Sequence, residues 1–111
     1  MVSAQIRKAE GTDRVFHAIA DGNRRKLLEL LAANEMAVQD LVAPLGITVG
    51  AVSQHLKILR DNGLVTRRKA GQHRYYRAVA GSLDDVREWT EKYRQFWESQ
   101  FDELEKLIDS R

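Results

Sequence analysis

The chain has 111 residues, of which 43% are hydrophobic and 31% charged, and its formal net charge is +2. This length and composition are typical of one soluble domain with a single core. The absence of cysteine excludes disulfides, thiol catalysis and thiolate metal sites. No apolar run approaches the roughly 20 residues that cross a membrane, and charge interrupts the position where a signal peptide is apolar. We therefore expect a cytoplasmic protein without a membrane partner.

The charges are distributed unevenly along the chain. Residues 1–77 hold 13 basic and 7 acidic side chains, whereas residues 78–111 hold 5 and 9. The segment 57–77 alone carries seven lysines and arginines against one aspartate. Such a segment in a nearly neutral chain indicates a surface for a polyanion, above all nucleic acid. A solvated charged face is the alternative, and the charge pattern alone does not decide between them.

Periodicity and capping residues predict an α+β fold that is mainly α with a small β-hairpin. In chain order the predicted elements are helix 12–20, helix 21–33, helix 38–45, helix 48–61, hairpin 64–77 and helix 82–110. We expect Thr12-Asp13 to cap the first helix and Asp21 the second. Pro44 lies too deep in the third helix for its first turn, so it should end or kink that helix.

The fourth helix separates into two faces at 100° per residue. One face is apolar, and the other carries small and polar residues, namely Gly50, Ser53, Gln54, Lys57 and Arg60. A glycine inside a helix costs about 1 kcal/mol relative to alanine, so Gly50 requires a reason. Either the backbone approaches DNA closely at this point, or another helix of the protein packs against it.

A tight turn with Gly46 joins the third and fourth helices, which is typical of a helix-turn-helix but is weak evidence alone. The basic hairpin that follows makes the pattern much stronger and predicts a winged helix-turn-helix, with the fourth helix in the major groove. Ser53 and Gln54 suit base edges, with plain solvent exposure as the alternative, and the hairpin suits phosphates. The predicted contacts to double-stranded DNA are Thr48, Val49, Gly50, Ser53, Gln54, Lys57, Arg67, Arg68, Lys69, Gln72, His73 and Arg74.

The last helix carries five of the eight aromatic residues, between Trp89 and Phe101, and Ser82 and Asp85 stand in capping-box positions. Roughly 28 residues give a rod about 42 Å long. An apolar stripe of this length exceeds what a few small helices can cover, so it indicates an interface and not a core. We expect a homodimer whose interface includes Val15, Phe16, Ile19, Trp89, Tyr93, Phe96, Trp97, Phe101 and Leu104.

Catalysis has little support in the sequence. Ser53 and His55 are two positions apart on a helix, so they face different directions and cannot form a nucleophile–base pair. The histidines His17, His55 and His73 show no metal-like spacing. We expect His17 at the dimer interface, His55 hydrogen-bonded in the core and His73 near phosphate. The chain is therefore predicted to be no enzyme and to hold no cofactor or metal.

Four segments resemble the ArsR/SmtB family of bacterial repressors: 20–28 (ADGNRRKLL), 51–59 (AVSQHLKIL), 63–65 (GLV) and 71–77 (GQHRYYR). The match runs over about residues 12–80, and its Ser-x-His-Leu core followed by Gly-Leu-Val is fairly specific. The aromatic last helix is similar to a branch of the family without metal sites. The resemblance implies a homodimer built from the first and last helices. It also implies repression by occupying a palindromic operator, often in the protein's own promoter.

The sequence departs from the family pattern in places that concern metals. Family members often carry proline where this chain has Gly22, which affects only the start of the second helix. The Cys-x-Cys pair of metal sensors is missing from 36–40 (MAVQD), and no histidine follows His73. Asp84, Asp85 and Glu88 could supply oxygens, but acids in a first turn usually complement the helix dipole. We expect no thiolate metal sensing, and the sequence identifies no small-molecule inducer.

A second function remains open at this point. A winged helix can serve as a protein-interaction module, with its basic hairpin docked on an acidic partner. Salt dependence and sequence discrimination separate the two functions, because an operator binder prefers its specific site by orders of magnitude over other DNA.

Overall fold

A computed structural model describes residues 4–109, with side chains from residue 10 onward. The described residues form five helices and three strands. In chain order these are α1 (Ala4–Ile19), α2 (Gly22–Ala33), β1 (Met36–Ala37), α3 (Val38–Leu45), α4 (Val49–Asp61), β2 (Val65–Ala70), β3 (His73–Ala78) and α5 (Asp84–Asp109). The α+β class predicted from the sequence is confirmed.

Caps and a glycine turn set the helices that surround the predicted site. The carboxylate of Asp21 accepts hydrogen bonds from the backbone N–H groups of Asn23 and Arg24, at 2.9 and 3.2 Å, and so begins α2. Gly46 ends α3 with a left-handed φ of 67°, which glycine adopts without a steric penalty. Thr48 then caps α4 by accepting from the N–H of Ala51 at 3.1 Å. The chain bends by 108° between α3 and α4, an angle typical of a helix-turn-helix.

Two of the predicted helix starts are wrong. Helix α1 begins at Ala4, so Thr12 and Asp13 lie inside it and do not cap it. Gly11 lowers helix propensity but does not break α1, and α5 passes close to it. Helix α5 begins at Asp84 because Ser82 lies in a preceding turn, its N–H donating to the carbonyl of Val79 at 3.2 Å. The predicted end of this helix at residue 110 lies outside the described residues.

Pro44 does not end α3. The helix continues to Leu45, and the N–H of Gly46 donates to the carbonyl of Val42 at 2.9 Å. Proline removes only its own N–H from the hydrogen-bond ladder. In the last turn of an eight-residue helix, that loss is a single bond.

The three strands form one antiparallel sheet in the order β1-β3-β2. The hairpin of β2 and β3, which we call the wing, lies where the sequence predicts it. The additional strand β1 was not predicted, and it pairs Met36 with Tyr76 of β3. Tyr76 is buried at the root of the wing, so β1 attaches the wing to the helices.

Leucines from α2, α3, α4 and the start of the wing form the core. Leu27, Leu41, Leu56, Leu59 and Leu64 are fully buried there. Helix α5 touches this core through the partly buried Val86 and has no fully buried side chain within Asp84–Asp109. The radius of gyration of 19.0 Å exceeds the roughly 13 Å of a compact chain of this length, because α5 extends away from the rest.

Within residues 4–109, no single helix is long and apolar enough to cross a membrane. Helices α3 and α4 taken together, which form a bent pair, meet the length and composition of a membrane span.

Candidate DNA interface

Helix α4 presents one side to the core and the other to solvent. Val52, Leu56 and Leu59 are fully buried and hold the helix against α2 and α3. Every residue that the sequence predicts to contact DNA from this segment is exposed: Thr48, Val49, Gly50, Ser53, Gln54 and Lys57. Except for Lys57, these residues lie at the N-terminal half of α4 or at its cap, which is the part of a recognition helix that reaches base edges.

The surroundings of Gly50 exclude one of its two explanations. A Cβ atom built on Gly50 would meet no atom nearer than the Oγ1 of Thr48, at 4.0 Å. Packing within this chain therefore does not require glycine here. Gly50 lies in the first turn of α4 and carries no side chain, so the exposed helix backbone can approach another molecule closely there.

The wing supplies the basic side chains. All six of its predicted contacts are exposed, namely Arg67, Arg68, Lys69, Gln72, His73 and Arg74. Lys69 lies directly opposite Arg74 in the pairing of β2 with β3, and neither forms an ion pair with a described side chain. Like charges opposite each other destabilise a hairpin, and a phosphate group between them would remove the repulsion.

An open cleft lies between the tip of the wing and the start of α3. Its volume is about 430 Å³, and it is lined by Val38, Gln39, Lys69, Gly71, Gln72, His73 and Arg74. The cleft brings Gln39, which was not predicted as a contact, next to the basic tip. Its amide can donate to a phosphate oxygen.

Arg68 differs from the other wing residues because its charge is already compensated. Its Nη2 and Nε atoms lie 2.6 and 2.8 Å from Oε1 of Glu35, and its guanidinium lies 5.0 Å from the ring centroid of Tyr75. The hydrogen bond from Arg68 is the largest cause that holds the pKa of Glu35 below its ordinary value. Glu35 was missed because it is distant in sequence and carries no motif.

Lys57 also has an acidic neighbour, but the pair is loose. Its Nζ lies 2.7 Å from Oδ2 of Asp61, one helical turn away, and both side chains are more than half exposed. An exposed pair of this kind contributes at most about 1 kcal/mol. Lys57 can therefore exchange Asp61 for a phosphate or a guanine at little cost.

Comparisons with known proteins agree with this geometry. The sequence profile of the bacterial regulatory protein, arsR family, matches residues 21–67. The chain is 39% identical over 98 residues to the HTH-type transcriptional regulator Rv2034 of Mycobacterium tuberculosis, covering 88% of this chain and 89% of that protein. It is 34% identical to the transcriptional repressor SdpR of Bacillus subtilis, covering 69% and 86%. The chain belongs to the ArsR family.

A solved structure shows the same architecture in another member. The homodimeric winged helix-turn-helix DNA-binding domain of Mb0332 from Mycobacterium bovis, a possible ArsR-family regulator, is 26% identical with a TM-score of 0.69. The match covers 86% of this chain and 88% of that domain. The predicted winged helix-turn-helix fold is confirmed. This ArsR-family chain is a DNA-binding transcriptional regulator and not an enzyme.

The regulator shows no clustered metal ligands in its described part. No group of three or more His, Cys, Asp or Glu side chains there could hold a metal ion. Asp84 instead pairs with Arg87, at 3.4 Å, in the first turn of α5. His55 of α4 is half-buried, and its Nδ1 lies 3.4 Å from Nη1 of Arg24 in α2, which agrees with its predicted hydrogen-bonded position.

The apolar stripe of α5 is exposed in the single chain. Each of its predicted interface residues exposes between 43% and 61% of its surface. These residues are Trp89, Tyr93, Phe96, Trp97, Phe101 and Leu104. The rings contact one another along the helix, and Trp89 also meets Phe16 of α1 edge-to-face at 5.5 Å. The stripe thus continues onto α1.

Val15 was predicted to lie in the dimer interface, but the single chain already buries it. Val15 is only 7% exposed and belongs to the core of its own chain. Its side chain is covered before any second copy arrives. Ile19 is half-buried and packs against the same core, so Phe16 is the residue of α1 that joins the stripe.

Proposed function

We propose that this ArsR-family regulator is a repressor that binds a palindromic operator as a homodimer in the cytoplasm. The observation that carries the proposal is the exposed polar face of α4 beside an uncompensated basic wing tip. Two relatives support it, because one is a transcriptional repressor and the other a homodimeric DNA-binding domain. The protein's own promoter is the first operator to test.

In this proposal α4 lies in the major groove and supplies sequence specificity. Gly50 lets the helix backbone approach the base edges. Gln54 pairs with adenine, and Ser53 and Lys57 contact neighbouring bases or phosphates. The wing contacts the DNA backbone through Lys69, Arg74 and the neighbouring predicted contacts Arg67, Gln72 and His73, and it contributes affinity without sequence preference. Arg68 contributes less than was predicted because Glu35 already neutralises it.

The homodimer in this proposal forms through the stripe on α5 and Phe16. Two-fold symmetry then places two copies of α4 about 34–36 Å apart, one turn of B-DNA. A palindromic operator follows from this symmetry. Because two half-sites are occupied together, affinity for the whole operator far exceeds that for one half.

The test is a fluorescence-anisotropy titration at physiological salt, against the DNA upstream of the protein's own gene and a scrambled control. We expect tight binding to the native segment alone, at two chains per site. Equal and weak binding to both DNAs would indicate that the operator lies outside the tested segment, and selection from random-sequence DNA would then identify it. A selection that returns no motif would contradict the proposal and favour docking of the wing on an acidic protein.

We further propose that the regulator does not respond to metals. The chain lacks cysteine, and the described side chains form no ligand cluster. Zinc, cadmium and arsenite are therefore expected to leave the operator complex intact in the same titration. Release of DNA at one metal ion per chain would contradict this part of the proposal.

A further inference from the structure

Arg24 is the only charged side chain that is buried in the described part of the chain, with 9% of its surface exposed. Burying a guanidinium is costly unless hydrogen bonds replace its water. Arg24 lies in the first turn of α2 and faces inward between α1 and α4. Its position is unlike that of its neighbour Arg25, which is exposed.

The guanidinium of Arg24 contacts two other helices at once. Its Nε donates to the carbonyl of Ala18 at 2.6 Å and its Nη2 to that of His17 at 3.1 Å. These carbonyls belong to the last turn of α1, where the helix dipole attracts a cation. The remaining nitrogen, Nη1, lies 3.4 Å from Nδ1 of His55 in α4.

This contact constrains the ring of His55. A guanidinium only donates hydrogen bonds, so a hydrogen bond at this distance requires Nδ1 to accept, and a neutral ring then carries its proton on Nε2. That nitrogen faces Oδ1 of Asp21 at 4.0 Å. The backbone N–H of Arg24 donates to the same carboxylate and is the largest cause that lowers the pKa of Asp21. Asp21, Arg24 and His55 thus form one polar connection.

This connection joins the two functional parts of the regulator. Helix α1 packs on α5 through Phe16 and Trp89, and these helices carry the proposed dimer surface. Helix α4 carries Ser53 and Gln54 immediately before His55. The buried side chains by which α4 packs on α2 and α3 are the apolar Val52, Leu56 and Leu59. Apolar contacts lack direction, whereas hydrogen bonds fix an angle.

We propose that Arg24 and His55 are positioning residues that set the angle of α4 relative to the dimer helices, and thereby the half-site spacing that the regulator accepts. The inference rests on the proposed operator-binding function and deepens it. Neither residue contacts a base in this arrangement. Each acts on DNA through the orientation of α4.

Operators that differ in spacing test this inference. Each base pair inserted at the centre of the operator rotates one half-site by about 35°, because B-DNA has about 10.5 base pairs per turn. The titration compares the selected operator with versions that are one base pair longer or shorter. The quantity measured is the ratio of affinities between the selected spacing and the altered ones.

Arg24→Gln and His55→Phe are expected to lower that ratio about tenfold, a magnitude typical of coupling between sites. His55→Gln keeps an acceptor and should retain more of the preference. Arg25→Gln is the matched control. Arg25 donates to the carbonyl of Ile19 at 2.8 Å and also touches the end of α1, but it has no described contact with α4. The control removes the same charge and should preserve the ratio.

The outcomes separate this inference from the proposed function. A wild-type protein without operator preference would overturn both. A second outcome is that the wild type prefers its operator while Arg24→Gln and Arg25→Gln show the same ratio of affinities between the selected and altered spacings. In that case only the positioning role is overturned. His55→Phe gives the same decision where Arg24→Gln does not fold. Nitrogen-15 NMR of the free wild-type protein is expected to show Nδ1 of His55 unprotonated, and a proton on Nδ1 would also overturn the inference.

Discussion

Gln54 on α4 and Lys69 on the wing are both exposed but should affect DNA binding differently. Gln54→Ala removes a base contact and is expected to lose about 1–3 kcal/mol of discrimination at one position of each half-site. Lys69→Ala removes a phosphate contact, so it should weaken all sequences alike and reduce the salt slope by about one unit. Titrations against operator variants at several salt concentrations measure both. Uniform, salt-only effects of both changes would show that α4 does not read bases.

Glu35 limits the charge of the wing by pairing with Arg68. Glu35→Gln should release one cation, raise affinity for scrambled DNA and steepen the salt slope by about 0.9. Glu29→Gln is the control, since Glu29 is exposed on α2 and has no described ion pair. If Glu35→Gln and Glu29→Gln bind scrambled DNA with equal affinity, Glu35 has no specific role in limiting the charge of the wing.

The same pair gives a pH dependence with a definite sign. Because Arg68 holds the pKa of Glu35 below its ordinary value of 4.5, the carboxylate stays ionised at neutral pH. The contribution of this ion pair to folding stability is present above the pKa that Glu35 has in the unfolded chain. It is lost as pH falls through the lower pKa that Glu35 has in the folded protein. The difference between wild type and Glu35→Gln in binding scrambled DNA should therefore persist at neutral pH and disappear in acid.

At the scale of elements, two glycines of the helix-turn-helix should respond in opposite ways to alanine. Gly50→Ala meets open space and improves helix propensity by up to about 1 kcal/mol, so the melting temperature should rise while operator affinity falls. Gly46→Ala places a side chain at a φ of 67° and should lower the melting temperature. Thermal denaturation and the operator titration measure both effects. Unchanged operator affinity in Gly50→Ala would exclude close approach of α4 at this point.

The sequence predicts elements well where a local signal marks them. Asp21 and Thr48 begin α2 and α4 as expected, because a cap is decided by neighbouring residues. Strand β1 escaped prediction since two residues show no alternation, and only pairing with Tyr76 makes Met36 a strand residue. The start of α1 was misplaced because Thr12 and Asp13 have the residue types of a helix cap, although the structure places both inside the helix.

The residues of the candidate site also fall into those that a local pattern predicts and those that depend on tertiary contacts. Helical periodicity alone places Ser53, Gln54 and Lys57 on the exposed face of α4, so these were predictable. The pairing of Arg68 with Glu35 and the burial of Arg24 depend on which helices meet in three dimensions. No sequence spacing encodes those contacts, and the structure is needed to distinguish a free cation from a compensated one.

At the scale of the whole molecule, α5 exposes its apolar stripe on one side and a polar face on the other. The polar face is organised by Arg94, which bridges Glu91 and Glu98 at 2.5 and 2.9 Å. An exposed stripe of this length on a single chain is typical of an interface. In the proposed homodimer, two identical stripes related by a two-fold axis would cover each other.

Trp97→Glu should therefore convert the dimer into monomers. Two-fold symmetry places the new charge in the interface twice, and each uncompensated carboxylate must lose water on association. A total loss of about 4 kcal/mol raises the dimer dissociation constant about a thousandfold. Gln95→Glu adds the same charge to the polar face of α5 and should remain dimeric. Sedimentation velocity distinguishes the two variants, and an unchanged sedimentation coefficient for Trp97→Glu would refute the interface.

The Trp97→Glu monomer should also lose most operator affinity while keeping weak, salt-sensitive binding, because one copy of α4 and one wing still reach DNA.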